Sequence, residues 1–292
     1  MTILDGSRAA SRASKTPNPD RTLIADAKKA ARAAARAEFR CDELFSAEIS
    51  KIISVANSAI KRHGPLIERA IAEALESAGL EVLRNVPFPI TSAAIGMATS
   101  SDYSQIANKQ IDFDAPTVIR HVDFDLIIID AVNRWIGGFQ LKRGGGQTQS
   151  RMRRVCEPEI RAANFILASW ARQKGYRTIE TGVAAVIDYY GQSGFATDLT
   201  INREEIDDFF ELPIVASVDQ MTAAMSGALA DELRGMFAAI APTVATPAHN
   251  DGSLNANDAL PTSPLRFRRR SHFRTIAAMD MARSFPAGDG RH

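Results

Sequence analysis

The stretch that decides the fold is residues 118–142, VIRHVDFDLIIIDAVNRWIGGFQLK. Its run Leu126-Ile127-Ile128-Ile129 is nearly continuous aliphatic sequence, the composition of a strand buried on both faces. The pattern predicts a strand from Val118 to about Asp130 and a second over Trp135 to Lys142, ended by Gly144-Gly145-Gly146. Successive side chains leave a strand on opposite faces. Trp135, Phe139 and Leu141 therefore share one face, read as core, while Ile136, Gly138, Gln140 and Lys142 share the other. Asp123 and Asp125 share a face just before the aliphatic run. If the two strands pair as a hairpin, an acid meets a Gln/Lys pair at one rim of the sheet.

Toward the N-terminus, residues 1–21 read as a disordered basic arm interrupted by Pro17-Asn18-Pro19. From Thr22 the sequence turns helical, with Lys28, Lys29, Arg32 and Arg36 on a solvated face. A longer helix is expected over Asp42–Lys61, on the apolar stripe Leu44, Ile49, Ile52, Ile53 and Ile60. His63-Gly64-Pro65 is expected to break it, with Pro65 opening a new helix that carries Ile67, Ile71, Ala74, Leu75 and Ala78 and stops at Gly79. Glu68 borders that second stripe, where a carboxylate costs free energy unless a partner or a cation meets it. Leu80–Val86 reads as a strand ended by Pro87 and Pro89, and 90–116 as an insertion or long loop.

Toward the C-terminus, a helix is predicted over Pro158–Lys174 and a strand over Thr178–Tyr190. Two helices follow, one capped by Asn202 with Glu205 three residues on, the other by Ser217 with Gln220. Met221, Met225, Leu229, Leu233 and Met236 form a stripe on the last helix. It reads as core, with a homodimer contact as the alternative. Residues 241–292 read as a disordered tail with one basic block, Arg266–Arg270. The expected organisation is one α/β (α+β) domain over 22–240, built on a mixed sheet, with extra helices at both ends.

Composition narrows the function classes. The formal net charge is +1 over 292 residues, so any nucleic-acid contact must come from a local patch. Cys41 and Cys156 lie far apart, which fits neither a disulfide framework nor a zinc site and suits a reducing, cytoplasmic setting. No apolar run approaches the roughly 20 residues that span a bilayer, so no membrane partner is expected. His63 and His121 stand alone in the sequence and read as core or surface residues, and Tyr189 and Tyr190 as core.

Glu68, the segment Val122-Asp123-Phe124-Asp125-Leu126 and the segment Gln140-Leu141-Lys142 lie within a run of expected elements ordered helix, strand, strand, strand, helix, strand. Together they resemble the PD-(D/E)XK nuclease superfamily, over roughly residues 60–190. Phe124 stands where that family often has proline, and Gln140 where it usually has Glu or Asp. The resemblance implies a restriction-endonuclease-like αβββαβ core and a Mg²⁺-dependent deoxyribonuclease, with Mn²⁺ able to substitute. It implies Asp125 as principal metal ligand, with Asp123 its rival. Gln140 would offer its amide oxygen, Leu141 its backbone carbonyl, and Glu68 a contact made directly or through a water. Lys142 would orient the attacking water. Arg143, Arg151, Arg153 and Arg154 flank the glycine loop and read either as a grip on DNA phosphates or as a solvated basic loop. The family's frequent dimers leave a homodimer open. The competing expectation is a catalytically weak or inactive nuclease-fold protein that binds DNA or protein.

Overall fold

The computed structural model describes residues 21–244. The N-terminal arm, apart from Arg21, and the basic block Arg266–Arg270 lie outside the described residues, as does all of the expected tail beyond Val244. The chain divides after Ala241, and the account below concerns the unit before that point.

Helix α1 (Arg21–Arg36) buries Leu23, Ala27, Ala31 and Ala34, a stripe of mostly small side chains that lets it lie close on helix α2 (Ala47–Ser77). Ser46 caps α2 through its Oγ, which accepts from the Ile49 N–H. The expected break at His63-Gly64-Pro65 does not occur; Pro65 lies inside one helix of 31 residues. Proline in a helix interior costs about 3 kcal/mol. Burial of Val55 and Ala59 before it, and of Leu66, Ile67, Ile71 and Leu75 after it, outweighs that at roughly 1.5–3 kcal/mol for each large side chain.

Strand β1 (Glu81–Thr91) pairs antiparallel with β2 (Val118–Asp130), which pairs antiparallel with β3 (Trp135–Lys142). Between β1 and β2 lie two short helices, α3 (Ser92–Ala98) and α4 (Tyr103–Ile106), in place of the expected loop. Pro87 and Pro89 do not end β1. They pair with Asp123 and His121 inside it, because β1 is the outermost strand of the sheet and an outer strand tolerates residues without an N–H.

Helix α5 (Ser150–Gln173) carries the chain over to β4 (Thr181–Asp188), which runs parallel to β3, and β4 pairs in parallel with the short β5 (Thr200–Asn202). Helix α5 starts eight residues before the expected Pro158, which it again holds internally. Helix α6 (Arg203–Phe210) has the expected capping box of Asn202 and Glu205. Helix α7 (Ile214–Val244) begins three residues before Ser217, so that serine lies buried within the helix rather than capping it. The result is an α/β protein with a mixed five-stranded sheet in the order β1-β2-β3-β4-β5 and seven α-helices among the described residues.

Each sheet face has its own core. On one, Leu126, Ile128, Phe139 and Ile187 meet α1, α2, α6 and the start of α7, where Met221 and Met225 are buried. These two methionines are core packing. On the other face, Phe124, Ile127, Ile129, Ile136 and Val186 meet α3 and α5. No helix among the described residues is long and apolar enough to cross a membrane.

Candidate active site

The two cores reveal a fault in β2. Phe124 packs with Ile127 on the α5 face, whereas Leu126 packs with Ile128 on the α2 face. Regular alternation would put Phe124 and Leu126 together. The break therefore falls at Asp125. Opposite it on β1, Asn85 has a φ of 52°, and pairing skips from Arg84–Leu126 to Val86–Phe124. On the other side, Leu126–Phe139 is the last ladder pair between β2 and β3. Beyond it the Leu141 N–H donates to the Asp125 carboxylate at 2.5 Å. Asp125 thus sits where β2 and β3 part, with its side chain completing the strand edge.

Gln140 lies one step past that last pair on β3. Its Nε2 donates to the Asp123 main-chain oxygen at 3.2 Å. A carbonyl acceptor requires the NH₂ end, so the amide's orientation is fixed. Its Oε1 is buried and receives no hydrogen bond among the described residues, a situation that costs about 1–3 kcal/mol unless a donor or a cation meets the oxygen. The Asp123 carboxylate is exposed while that of Asp125 is half-buried.

Charge couples these groups to α2 and to Lys142. Burial raises the Asp125 carboxyl above the ordinary carboxylate range, against the Leu141 N–H and the Lys142 ammonium, which pull it down. Burial also raises Glu68, and the Asp125 charge raises it further, while Arg84 opposes. Two partly buried acids held back from ionising in one place are what a divalent cation relieves. Glu68, Leu141, Lys142 and Arg143 line one cleft of about 180 Å³, together with Gly64, Pro65 and Tyr189. Among the described residues no three His, Cys, Asp or Glu side chains gather at a point that could hold a metal ion.

The four arginines separate. Arg151 and Arg154 are exposed in the first turns of α5. Arg153 donates to the Thr148 and Gly194 main-chain oxygens, tying the glycine loop to the loop after β4. Arg143 enters the cleft.

No family model, curated protein or solved structure matches the chain.

Two supports were not legible from spacing. Asp188, buried at the end of β4, accepts from the Gly191 N–H and from both the N–H and Oγ of Ser193. It organises the loop beside the glycines. His63 lies 80 residues from Arg143 and 159 from Thr222, yet Nδ1 accepts from Arg143 Nε at 3.1 Å and Nε2 lies 2.9 Å from Thr222 Oγ1. Burial, and then the Arg143 charge, lowers the His63 pKa from 6.5 to about 4. The ring is neutral, and since Nδ1 accepts, Nε2 carries the proton.

That shift predicts an acid limb in stability. Below pH 6.5 the unfolded chain takes up a proton that the folded chain refuses until about pH 4. The contribution of His63 is therefore complete above 6.5 and falls away as pH drops toward 4. His63→Asn should lack this component, so its urea midpoint should gain on that of wild type between pH 6.5 and 4. A constant difference across that window would contradict the buried neutral imidazole.

Proposed function

We propose that the chain is a metal-dependent endonuclease that hydrolyses DNA phosphodiester bonds, on a restriction-endonuclease-like core. The observation that carries this reading is Asp125 where β2 and β3 part, held by the Leu141 N–H and coupled by charge to Lys142 and to Glu68 on α2, with the unsatisfied Gln140 Oε1 one residue before Leu141 on β3. The element order α2, β1, β2, β3, α5, β4 supports it, with α3 and α4 as an insertion.

The donor set fits a hard cation such as Mg²⁺ or Mn²⁺, which prefers oxygen ligands. Asp125, Gln140 Oε1, the Leu141 carbonyl and Glu68 would hold it. When bound, such an ion supplies Lewis-acid stabilisation of the charge that builds on the phosphate oxygens and acidifies a water. Asp125 keeps one carboxylate oxygen on the Leu141 N–H, which fixes its rotamer. Lys142 supplies positive charge to the transition state and orients the attacking water. Gln140, neutral where a carboxylate would be stronger, weakens the electrostatic hold and leaves the site more dependent on Asp125 and Glu68. Restriction, repair and mobile-element processing are all compatible with this chemistry.

The test is conversion of supercoiled plasmid to nicked and linear forms with Mg²⁺ or Mn²⁺. Lys142→Ala should cut about 10²–10³-fold more slowly than wild type while retaining metal binding by calorimetry. Equal rates would reject the site. Duplex binding by wild type without any turnover would favour a non-catalytic binding module on the same fold.

A further inference from the structure

Arg143 directly follows Lys142 and lines the cleft with Gly64, Glu68 and Tyr189. Its guanidinium is confined by independent contacts. Nε donates to the neutral His63 ring, and the guanidinium carbon lies 5.0 Å from the centre of the Tyr190 ring. Gly145 leaves space for it, since a Cβ there would fall 2.3 Å from Nη1. His63 is itself held from its far side by Thr222 on α7.

The partners are all uncharged. Among the described residues no carboxylate forms an ion pair with Arg143. One of its five N–H groups is taken by His63, and the two terminal nitrogens have no protein acceptor there. The ion pairs that other arginines make, such as Arg203 with Asp219 and Arg69 with Asp26, neutralise their charge. A neutral imidazole orients Arg143 and leaves its full charge for a ligand. The planar fork of free N–H groups matches the geometry of a phosphate.

We propose that Arg143, set by His63 and Tyr190, binds a phosphodiester group of the nucleic-acid chain beside the Asp125 site, and that His63 is its positioning residue. The identity of the anion rests on the nuclease reading; the oriented, uncompensated cation does not. Gly145 belongs to the device, because any side chain there displaces the end of the guanidinium.

The experiment is fluorescence anisotropy of a labelled 20-base-pair DNA duplex, titrated with the full chain in EDTA across a range of salt. Arg143→Ala should bind about tenfold more weakly, the equivalent of one charge-assisted hydrogen-bonded contact, with a salt slope lower by about one. His63→Ala and Gly145→Ala should shift in the same direction. His63→Asn, whose Oδ1 can accept from Arg143 Nε, should return to within about twofold of wild type. Both His63 variants lose the Thr222 contact and the ring's packing, so a purely structural role would move them alike. Wild-type affinity in Arg143→Ala, equal losses in the two His63 variants, or no duplex binding by wild type would each overturn the proposal. Because these titrations exclude metal, an intact plasmid in the cleavage assay rejects the nuclease reading without touching this result.

Discussion

Asp125→Asn should abolish metal-dependent cleavage, by at least about 10³-fold, or roughly 4 kcal/mol of transition-state stabilisation. The substitution keeps the size of the side chain and an oxygen that can still accept from the Leu141 N–H, so the divergence of β2 and β3 should survive. What it removes is the charge. The wild-type carboxylate is already raised by burial, which means that the folded chain holds it at some cost without a cation. Asparagine relieves that cost, so the metal-free variant should melt no lower than wild type and gain on it as pH rises above the ordinary carboxylate range. Calorimetric titration with Mg²⁺ should show binding in wild type and none in the variant. A folded Asp125→Asn protein that cuts plasmid at the wild-type rate would remove Asp125 from the chemistry.

Gly144→Ala should be the most damaging change in the glycine triplet. Gly144 has a φ of +71°, and a Cβ on it would fall 1.8 Å from Oδ1 of Asp188. That carboxylate cannot simply retreat, because it accepts from the Gly191 N–H and from Ser193. Left-handed strain and overpacking together put the loss at roughly 2–4 kcal/mol, with the loop beside Lys142 and Arg143 displaced. Gly146→Ala meets no atom within 4 Å and should lie within about 0.5 kcal/mol of wild type. Urea unfolding of the two variants measures the contrast directly. Equal stability would mean that Asp188 does not fix this loop.

Much of the architecture was legible because it follows from burial pattern. The bounds of β2 and β3 match those expected from the aliphatic run and the glycine punctuation, and the capping box at Asn202 was visible as a residue pair. Proline departs from its usual role as a breaker at four positions. Pro65 and Pro158 sit inside helices, and Pro87 and Pro89 inside a strand, because packing on either side, or a position at the sheet's margin, offsets the missing N–H. Helix α7 begins before Ser217 because Ile214 and Val218 are buried in the core, which sets the first turn ahead of the apparent cap.

The candidate site was legible in its residue types and only partly in its geometry. Simple alternation assigned Asp125 to a face, but it sits at the fault between faces, a local twist shared with Asn85 that no spacing rule encodes. Gln140 was expected beside Asp125, and its main-chain tether to Asp123 was not. His63 looked isolated because its partners, Arg143 and Thr222, are distant in sequence and contribute through tertiary contact alone.

Pro87 and Pro89 have a consequence for self-association. The outer rim of β1 carries two residues that cannot donate to an incoming backbone. A rim interrupted in this way is a poor template for strand addition, and natural proteins use such interruptions against sheet-to-sheet aggregation. Growth of the sheet along this stretch of β1, by a second copy or by a foreign peptide, is thereby disfavoured.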